Sequence, residues 1–460
     1  MTRTLGQFAA SCGGRLEGAD APFAEAVIDS RQLAAGDLFL ALPGARTDGH
    51  EFIAAAAQAG AAGALVSRRS VAPLPQIVVA DVAQALTLAG RAWRARFRGP
   101  VIGVAGSNGK TTTKEMLSAI LAQRGECLAT RGNLNNHLGV PLTLLRLRDT
   151  QLSAVIEMGV NRAGELAELV AMAKPGVGLI TNAGAEHLEG FGSLEAVARA
   201  EGEMVSGLAA EGIAVINADD KFATLWRGMA RSRVVSFGIA ADADVRALEL
   251  RLDVSTQGFA TRFTLQNTDA AVPVALALAG RHNVYNALAA AAAALAAGAT
   301  LTQVATGLSA VRAVAGRLQF KQLPGGAWLI DDSYNANPSS VRAALEVLGA
   351  MPGRRWLVLG DMAELGAHAQ SSHRELGTLA RSFGVERLYT FGPLAALAAD
   401  TFGADAHRYN DIDALTRALA GELQREPRAE ARLLVKGSRV NKLERLVAAL
   451  TIAPAARRAI

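Results

Sequence analysis

Cysteine is nearly absent: the chain of 460 residues carries two, Cys12 and Cys127. Two thiols cannot build a disulfide framework and match no paired metal-ligand spacing, so the sequence fits a reducing compartment. Charge of one sign is lacking as well. Lys and Arg number 47 against 42 Asp and Glu, a net of +5 spread along the chain without a basic tail, which disfavours nucleic acid as a partner. With 50% hydrophobic and 19% charged residues, disorder is excluded as a global description. Long hydrophobic runs are missing too. The greasiest stretch, Ala287 to Ala299, is mostly alanine, includes Gly298 and falls short of the roughly 20 residues that cross a bilayer, so it reads as a buried helix. The opening MTRTLGQFAASCGGRL has no basic start followed by an apolar run, as a secretory signal would. No repeat, low-complexity tail or long linker stands out. These absences predict a cytoplasmic protein with no transmembrane segment, taken as a monomer for want of an evident interface pattern.

What is there is length, enough for about three domains at about 150 residues each. From residue 100 onward, short apolar runs alternate with helical patterns, the signature of parallel sheets in an α/β fold. VIGVA (101–105), SAVIEM (153–158), VGLIT (177–181) and IAVIN (213–217) read as strands covered on both faces. VRALELRLDV, FATRFTLQ and PVALAL, within 244–278, look instead like successive antiparallel strands. Helical patterns then run to about Val311, and a second α/β series follows, with WLI (328–330), WLVLG (356–360), RLYTFG (387–392) and LLVKG (433–437) as strands. In the first hundred residues DLFLAL (37–42) and ALV (64–66) read as strands and His50 to Gly60 as a helix. The resulting divisions are 1–99, 100–313 and 314–460.

GVAGSNGKTT, Gly103 to Thr112, follows a predicted strand and opens a predicted helix, as a phosphate loop must. Glycines let backbone N–H groups turn toward phosphate oxygens, the helix N-terminus adds partial positive charge, and Lys110 adds a full one. Thr111 can ligate magnesium. Val104 stands where the strict GxxxxGK[ST] pattern has glycine, so this is a GxxGxxGKT variant. Glu157 ends one strand and His187 follows another, at the carboxyl edge where ligands collect in open α/β sheets. A hard carboxylate suits magnesium better than histidine does, and each residue taken alone reads more readily as an ordinary loop group than as a ligand; together with the phosphate loop they make a plausible metal site. Asn283 and Asn286, three apart at a helix start, can face one ligand edge, although local rules favour Asn283 as a helix cap. DDSYNANPSS (331–340) is polar beyond the needs of a turn, with Pro338 marking a helix start, and LVKGSRVNK places Lys436 at a strand end. A solvated structural loop explains either segment as well as a binding site does.

Taken together, ten segments in order resemble the Mur ligases of peptidoglycan synthesis: DSRQLAAGDLFLALPGARTDGHEF, GVAGSNGKTTTKEM, RGNLNNHLGVPLTLL, VIEMGVNRAGEL, NAGAEHLEGFGSL, LAGRHNVYNALAAAAA, GRLQF, DDSYNANPSSV, LGDMAELG and LVKGSR. The resemblance spans nearly the whole chain. It implies three domains: an N-terminal one for a UDP-sugar, a central P-loop ATPase-like one, and a C-terminal Rossmann-like one that closes over ATP. The implied reaction is ATP-dependent amide formation through an acyl phosphate, joining D-alanyl-D-alanine to UDP-N-acetylmuramoyl-tripeptide to give the pentapeptide. By the same likeness Gly106, Ser107, Asn108, Gly109, Lys110, Thr111 and Thr112 would hold ATP and Mg2+. Glu157 and His187 would join Thr111 at the metal, Asn283 and Asn286 would meet adenine, and Arg317 and Asp332 would reach ATP from the third domain. Ser30, Arg31, Asn133, Asn136, Asn335, Asn337 and Lys436 would serve the small-molecule substrates.

One departure stands out. Where related ligases carry a lysine that becomes carbamylated, VARAEGEM offers Glu201, which would supply a metal-site carboxylate directly; the plain alternative is a solvent-facing helix Glu. The ligase that adds the third peptide residue is the nearest rival within the family, and GNLNN and DDSYNANPSS argue against it. Folate polyglutamation enzymes lack the UDP-sugar region, and a nucleotide switch would leave the third domain without a purpose.

Overall fold

The computed structural model describes residues 3–44, 47–184, 188–255, 258–425 and 430–452. Three sheets follow one another along the chain. The first holds β1 (Arg15–Glu17), β2 (Ala26–Val27), β3 (Leu38–Leu40), β4 (Gly63–Val66) and β5 (Gln76–Val78) in the order β1-β5-β4-β3-β2. All its pairs are parallel except β1 with β5. The helix expected over His50 to Gly60 starts as a 3-10 turn, Gly49–Phe52, whose cap is Asp48, and becomes α-helical at Ile53–Gln58.

The second sheet gathers β6 (Val101–Ala105), β7 (Cys127–Ala129), β8 (Ser153–Glu157), β9 (Val177–Ile180), β10 (Ile213–Asn217), β11 (Arg233–Gly238), β12 (Val245–Ser255), β13 (Gly258–Gln266) and β14 (Ala271–Leu276). Their order is β14-β13-β12-β11-β10-β9-β6-β8-β7, so β6 lies between β8 and β9. Strands β6, β8 and β9 are buried along their whole length, as their unbroken apolar runs require. The three later strands are antiparallel, as their alternation suggests, and they extend this same sheet because β12 pairs in parallel with β11. The alanine-rich stretch lies in the helix Arg281–Ala296, where Ala287 through Ala294 are fully buried. Its small side chains let it pack against the helix Lys110–Leu121 that follows the phosphate loop.

The third sheet comprises β15 (Gln319–Gln322), β16 (Trp328–Asp332), β17 (Arg354–Gly360), β18 (Arg387–Phe391), β19 (Ala406–Tyr409) and β20 (Ala431–Lys436), in the order β15-β16-β20-β17-β18-β19. All but β15 run parallel. The β12–β13 hairpin reaches it from the second sheet: Leu252, Val254 and Phe259 join the third sheet's core, with Phe259 edge-on to Phe320 and Phe320 edge-on to Trp328. The carboxyl ends of β6, β8 and β9 thereby face those of β16 and β20 across a cleft. Among the described residues no helix is long and apolar enough to cross a membrane.

Candidate active site

The cleft has a volume of about 670 Å³ and is lined by the phosphate loop, the asparagine loop after β7, the start of the helix Arg281–Ala296 and the loop after β16. The loop leaving β6 needs its glycines. Gly106 has φ +120° and Gly109 φ +82°, and a Cβ on either would lie 2.1 Å from an oxygen, that of Thr181 or of Asn286. Gly109 caps the helix that starts at Lys110. The loop is held on all sides: the Gly106 N–H donates to Glu201 Oε2 at 2.7 Å, Thr181 Oγ1 donates to the Asn108 carbonyl at 2.7 Å, and Asn108 N–H donates to Asn182 Oδ1 at 3.1 Å. Glu201 is thus buried beneath the loop, which rules out the solvent-facing alternative. Lys110 Nζ donates to the carbonyls of Gly106 and Ser107 at 2.6 and 3.0 Å, and Thr111 and Thr112 line the cleft.

Glu157 is 2% exposed at the end of β8. Its Oε1 accepts from Thr111 Oγ1 at 3.3 Å and from Asn135 Nδ2 at 2.9 Å, while Oε2 has no hydrogen-bond partner among the described residues; Lys114 Nζ lies 3.9 Å away. An orphaned buried carboxylate oxygen beside a hydroxyl is a hard-oxygen donor set suited to a divalent cation. His187 lies outside the described residues. Among those described, no group of three or more His, Cys, Asp and Glu side chains is placed to hold a metal.

Asn283 and Asn286 do share a face, and both are buried. The cap role expected for Asn283 is not seen: Gly280 is the N-cap, Asn283 lies inside the helix with its amide turned back on the Ala279 carbonyl at 2.7 Å, and Asn286 Nδ2 donates to Asn283 Oδ1 at 3.1 Å. Next to them His282 presents a buried Nδ1 that has no partner among the described residues, and burial pushes its pKa down to about 4. Tyr285 donates to Asp219 Oδ2 at 2.8 Å, and that carboxylate also collects the N–H groups of residues 239 to 241.

From the third sheet, Arg317 donates to Thr111 Oγ1 at 3.2 Å and stacks on the Tyr334 ring, with its Cζ 4.4 Å from the centroid. Asp332 accepts from the Leu318 N–H at 3.1 Å and from Lys436 Nζ at 2.5 Å, and Lys436 also reaches the Asn335 carbonyl. Asn337 caps the helix Pro338–Gly349 and donates to Asn108 Oδ1 at 2.8 Å, while Asn108 donates to Ser339 Oγ at 3.2 Å. Asn133 and Asn136 line the cleft, and Asn136 Oδ1 also accepts from the N–H groups of Leu138 and Gly139 just before and at the start of the helix Gly139–Leu144. Ser30 and Arg31 do not line it; they form a short turn on the first sheet, with the exposed Arg31 guanidinium folded onto Asp29. Asn135, Lys114, His282, Tyr334 and Ser339 were not singled out by sequence. Each nonetheless falls in a segment that the sequence marked: Asn135 in the asparagine-rich loop, Tyr334 and Ser339 in DDSYNANPSS, His282 in LAGRHNVYNALAAAAA and Lys114 in GVAGSNGKTTTKEM.

A phosphate loop whose helix is backed by a buried alanine helix, and whose mouth is met by a second α/β sheet, defines a nucleotide-dependent α/β enzyme working between two sheets. Comparison with known proteins sharpens that class. Family models described as the Mur ligase middle domain, the Mur ligase glutamate ligase domain and the Mur ligase family catalytic domain match residues 104–294, 316–439 and 23–98. The chain is 43% identical over 451 residues to the UDP-N-acetylmuramoyl-tripeptide--D-alanyl-D-alanine ligase of Escherichia coli (strain K12), covering 97% of this chain and 98% of the relative. The crystal structure of MurF from Acinetobacter baumannii superposes with a TM-score of 0.90 at 35% identity, covering 98% of this chain and 99% of that one. MurF ligase from Thermotoga maritima in complex with ADP gives 0.80 at 27%, covering 93% and 97%. The chain belongs to the Mur ligase family.

Proposed function

We propose that this protein is the ATP-dependent ligase that joins D-alanyl-D-alanine to UDP-N-acetylmuramoyl-tripeptide, with domains at 1–99, 100–313 and 314–460. The observation that carries the reading is 43% identity, across nearly the full length of both chains, to the ligase of that name. The cleft supports it chemically. A carboxylate oxygen of the tripeptide attacks the γ-phosphorus of ATP and ADP departs, leaving an acyl phosphate. The D-alanyl-D-alanine amine then attacks the acyl carbon, loses a proton, and phosphate leaves as the amide forms.

Both partners in the first step are anionic, so cations must screen them before they can approach in line. Lys110 at the loop and Arg317, reaching in from the third sheet to Thr111, supply that charge. Thr111 and Glu157, whose Oε2 has no hydrogen-bond partner among the described residues, would hold Mg2+ together with His187, and Glu201 would add a carboxylate from beneath the loop. When bound, the ion neutralises phosphate charge. Asp332 acts by position: fixing the Leu318 N–H, it sets the turn that aims Arg317. Asn283 and Asn286 would receive adenine. Asn133, Asn136, Asn335, Asn337 and Lys436 would line the path of the peptide substrates, and Ser30 and Arg31 the UDP end. The substrates are small molecules, ATP, a UDP-linked tripeptide and a dipeptide, and a cytoplasmic reaction is part of the proposal.

The deciding experiment is phosphate release from ATP with UDP-N-acetylmuramoyl-tripeptide, with and without D-alanyl-D-alanine, and mass detection of the product. Release that needs both substrates and yields the pentapeptide is expected; release indifferent to the dipeptide would overturn the assignment. Glu201→Gln is expected to raise the magnesium requirement, and full activity of that variant at limiting magnesium would exclude a metal role for Glu201.

A further inference from the structure

Away from the cleft, at the junction of the first and second sheets, two arginines meet one carboxylate and two more lie near enough to act on them. Glu25, just before β2, is bridged by Arg131 at 2.8 Å and approached by Arg146 Nε at 3.9 Å. Arg3 lies behind them, 5% exposed, with one nitrogen donating to the Ala24 carbonyl at 2.7 Å. Its Nε and its other terminal nitrogen are buried and have no hydrogen-bond partner among the described residues. Of the charges that act on Arg3, two are the guanidiniums of Arg148 and Arg146 and one is Glu25. Arg146 in turn feels Arg131 and Arg148. Burial first, then this mutual repulsion, lowers Arg3 and Arg146 to about 10 each.

A buried guanidinium with two donors unmet among the described residues is costly, and like charges set beside it add to the cost. An anion would relieve both at once. Planar guanidiniums match the paired oxygens of phosphate groups, and the four positive charges outnumber Glu25, the one carboxylate that contacts two of them. None of the four lines the cleft. Arg148 and Arg131 stand at the solvent side, the latter with its side chain 61% exposed, while Arg3 lies within.

We propose that Arg3, Arg131, Arg146 and Arg148 form a binding site for a phosphate-class anion, separate from the nucleotide cleft. The chemistry fits two sources: the diphosphate of a nucleotide-sugar, since Arg131 opens the loop that carries Asn133 and Asn136 into the cleft, and free inorganic phosphate or pyrophosphate. The site itself does not depend on the ligase reading.

The test saturates the full-length protein with ADP and magnesium, so that the phosphate loop is filled, and titrates inorganic pyrophosphate by calorimetry. One pyrophosphate is expected per chain, with affinity about tenfold weaker in Arg3→Met and in the solvent-side variant Arg148→Gln. Arg148→Gln carries the test alone where Arg3→Met does not fold. Absence of binding to ADP-saturated protein, or affinity unchanged in Arg148→Gln, overturns the proposal and leaves the cluster as a tether between the sheets through Glu25. Competition between pyrophosphate and UDP-N-acetylmuramoyl-tripeptide, with a raised KM for that substrate in Arg148→Gln, identifies the nucleotide-sugar diphosphate as the occupant. Simultaneous binding with an unchanged KM identifies a free phosphate species. Failure of the ligase reading would appear elsewhere, as phosphate release that ignores the dipeptide while pyrophosphate still binds.

Discussion

Glu157 offers one oxygen to Thr111 and Asn135 and, among the described residues, keeps the other without a hydrogen bond, so Glu157→Gln preserves shape while removing the charge. Phosphate release is expected to fall by about 100-fold or more, the scale for removing one preorganised electrostatic group, with the melting temperature little changed. His282 makes a second prediction. Its folded pKa of about 4 lies below the unfolded value of 6.5, so the unfolded chain binds the proton more tightly. The neutral ring's contribution is therefore complete above pH 6.5 and is lost as pH falls from 6.5 toward 4, by on the order of 2 to 3 kcal/mol. Urea unfolding at pH 7 and pH 5 should show a smaller pH loss in His282→Gln than in the parent; equal losses would refute the burial argument. Neither expectation was available from sequence. Glu157 was visible as a strand end, but its pairing with Asn135, and the isolation of His282 Nδ1, arise between segments far apart in the chain.

Strands buried on both faces were legible because their apolar runs are unbroken: β6 and β10 match their expected limits, and β8, β9, β16, β17, β18 and β20 shift by a residue or two. Most of those passed over are short or one-sided; the exception is β11, six residues between β10 and β12, whose RVVSFG opens on an exposed arginine and is interrupted by Ser236. β7 is three residues long at a sheet edge, and β15 reads QFKQ with its side chains partly exposed, so neither shows a hydrophobic pattern to find. The phosphate loop was the most legible element since its chemistry is local: glycines, Lys110 and a helix start within ten residues. Its mechanical demand is equally local. Gly109→Ala would place a methyl group at φ +82° and 2.1 Å from the Asn286 oxygen, disturbing the loop and the adenine-side asparagines together. ADP binding, followed by calorimetry, is expected to weaken by at least about tenfold, whereas Ala at the open Gly228, with no neighbour near its Cβ, should leave it unchanged.

The second and third sheets are joined by more than the chain between them. The β12–β13 hairpin carries Phe259 into the third sheet's core against Phe320, so Phe259→Ala should cost about 3 kcal/mol and split a single calorimetric unfolding transition into two. A single shifted transition would show that the hairpin does not couple the sheets. This coupling was hidden from the sequence. The alternation of 244–278 announced strands, but nothing in it named the partner that covers their far end. Nor did DDSYNANPSS reveal where its asparagines would lie, since Asn337 and its partner Asn108 are separated by more than two hundred residues.

That pairing also has a bearing on salt. Asn108 exchanges hydrogen bonds with Asn337 and Ser339, so the phosphate loop and the third sheet are in touch through uncharged amides and a hydroxyl. Each such neutral bond is worth about 0.5–1.5 kcal/mol net. Neutral contacts are not screened by dissolved ions, so this link between loop and sheet keeps its strength at ionic strengths where an exposed ion pair in its place would weaken.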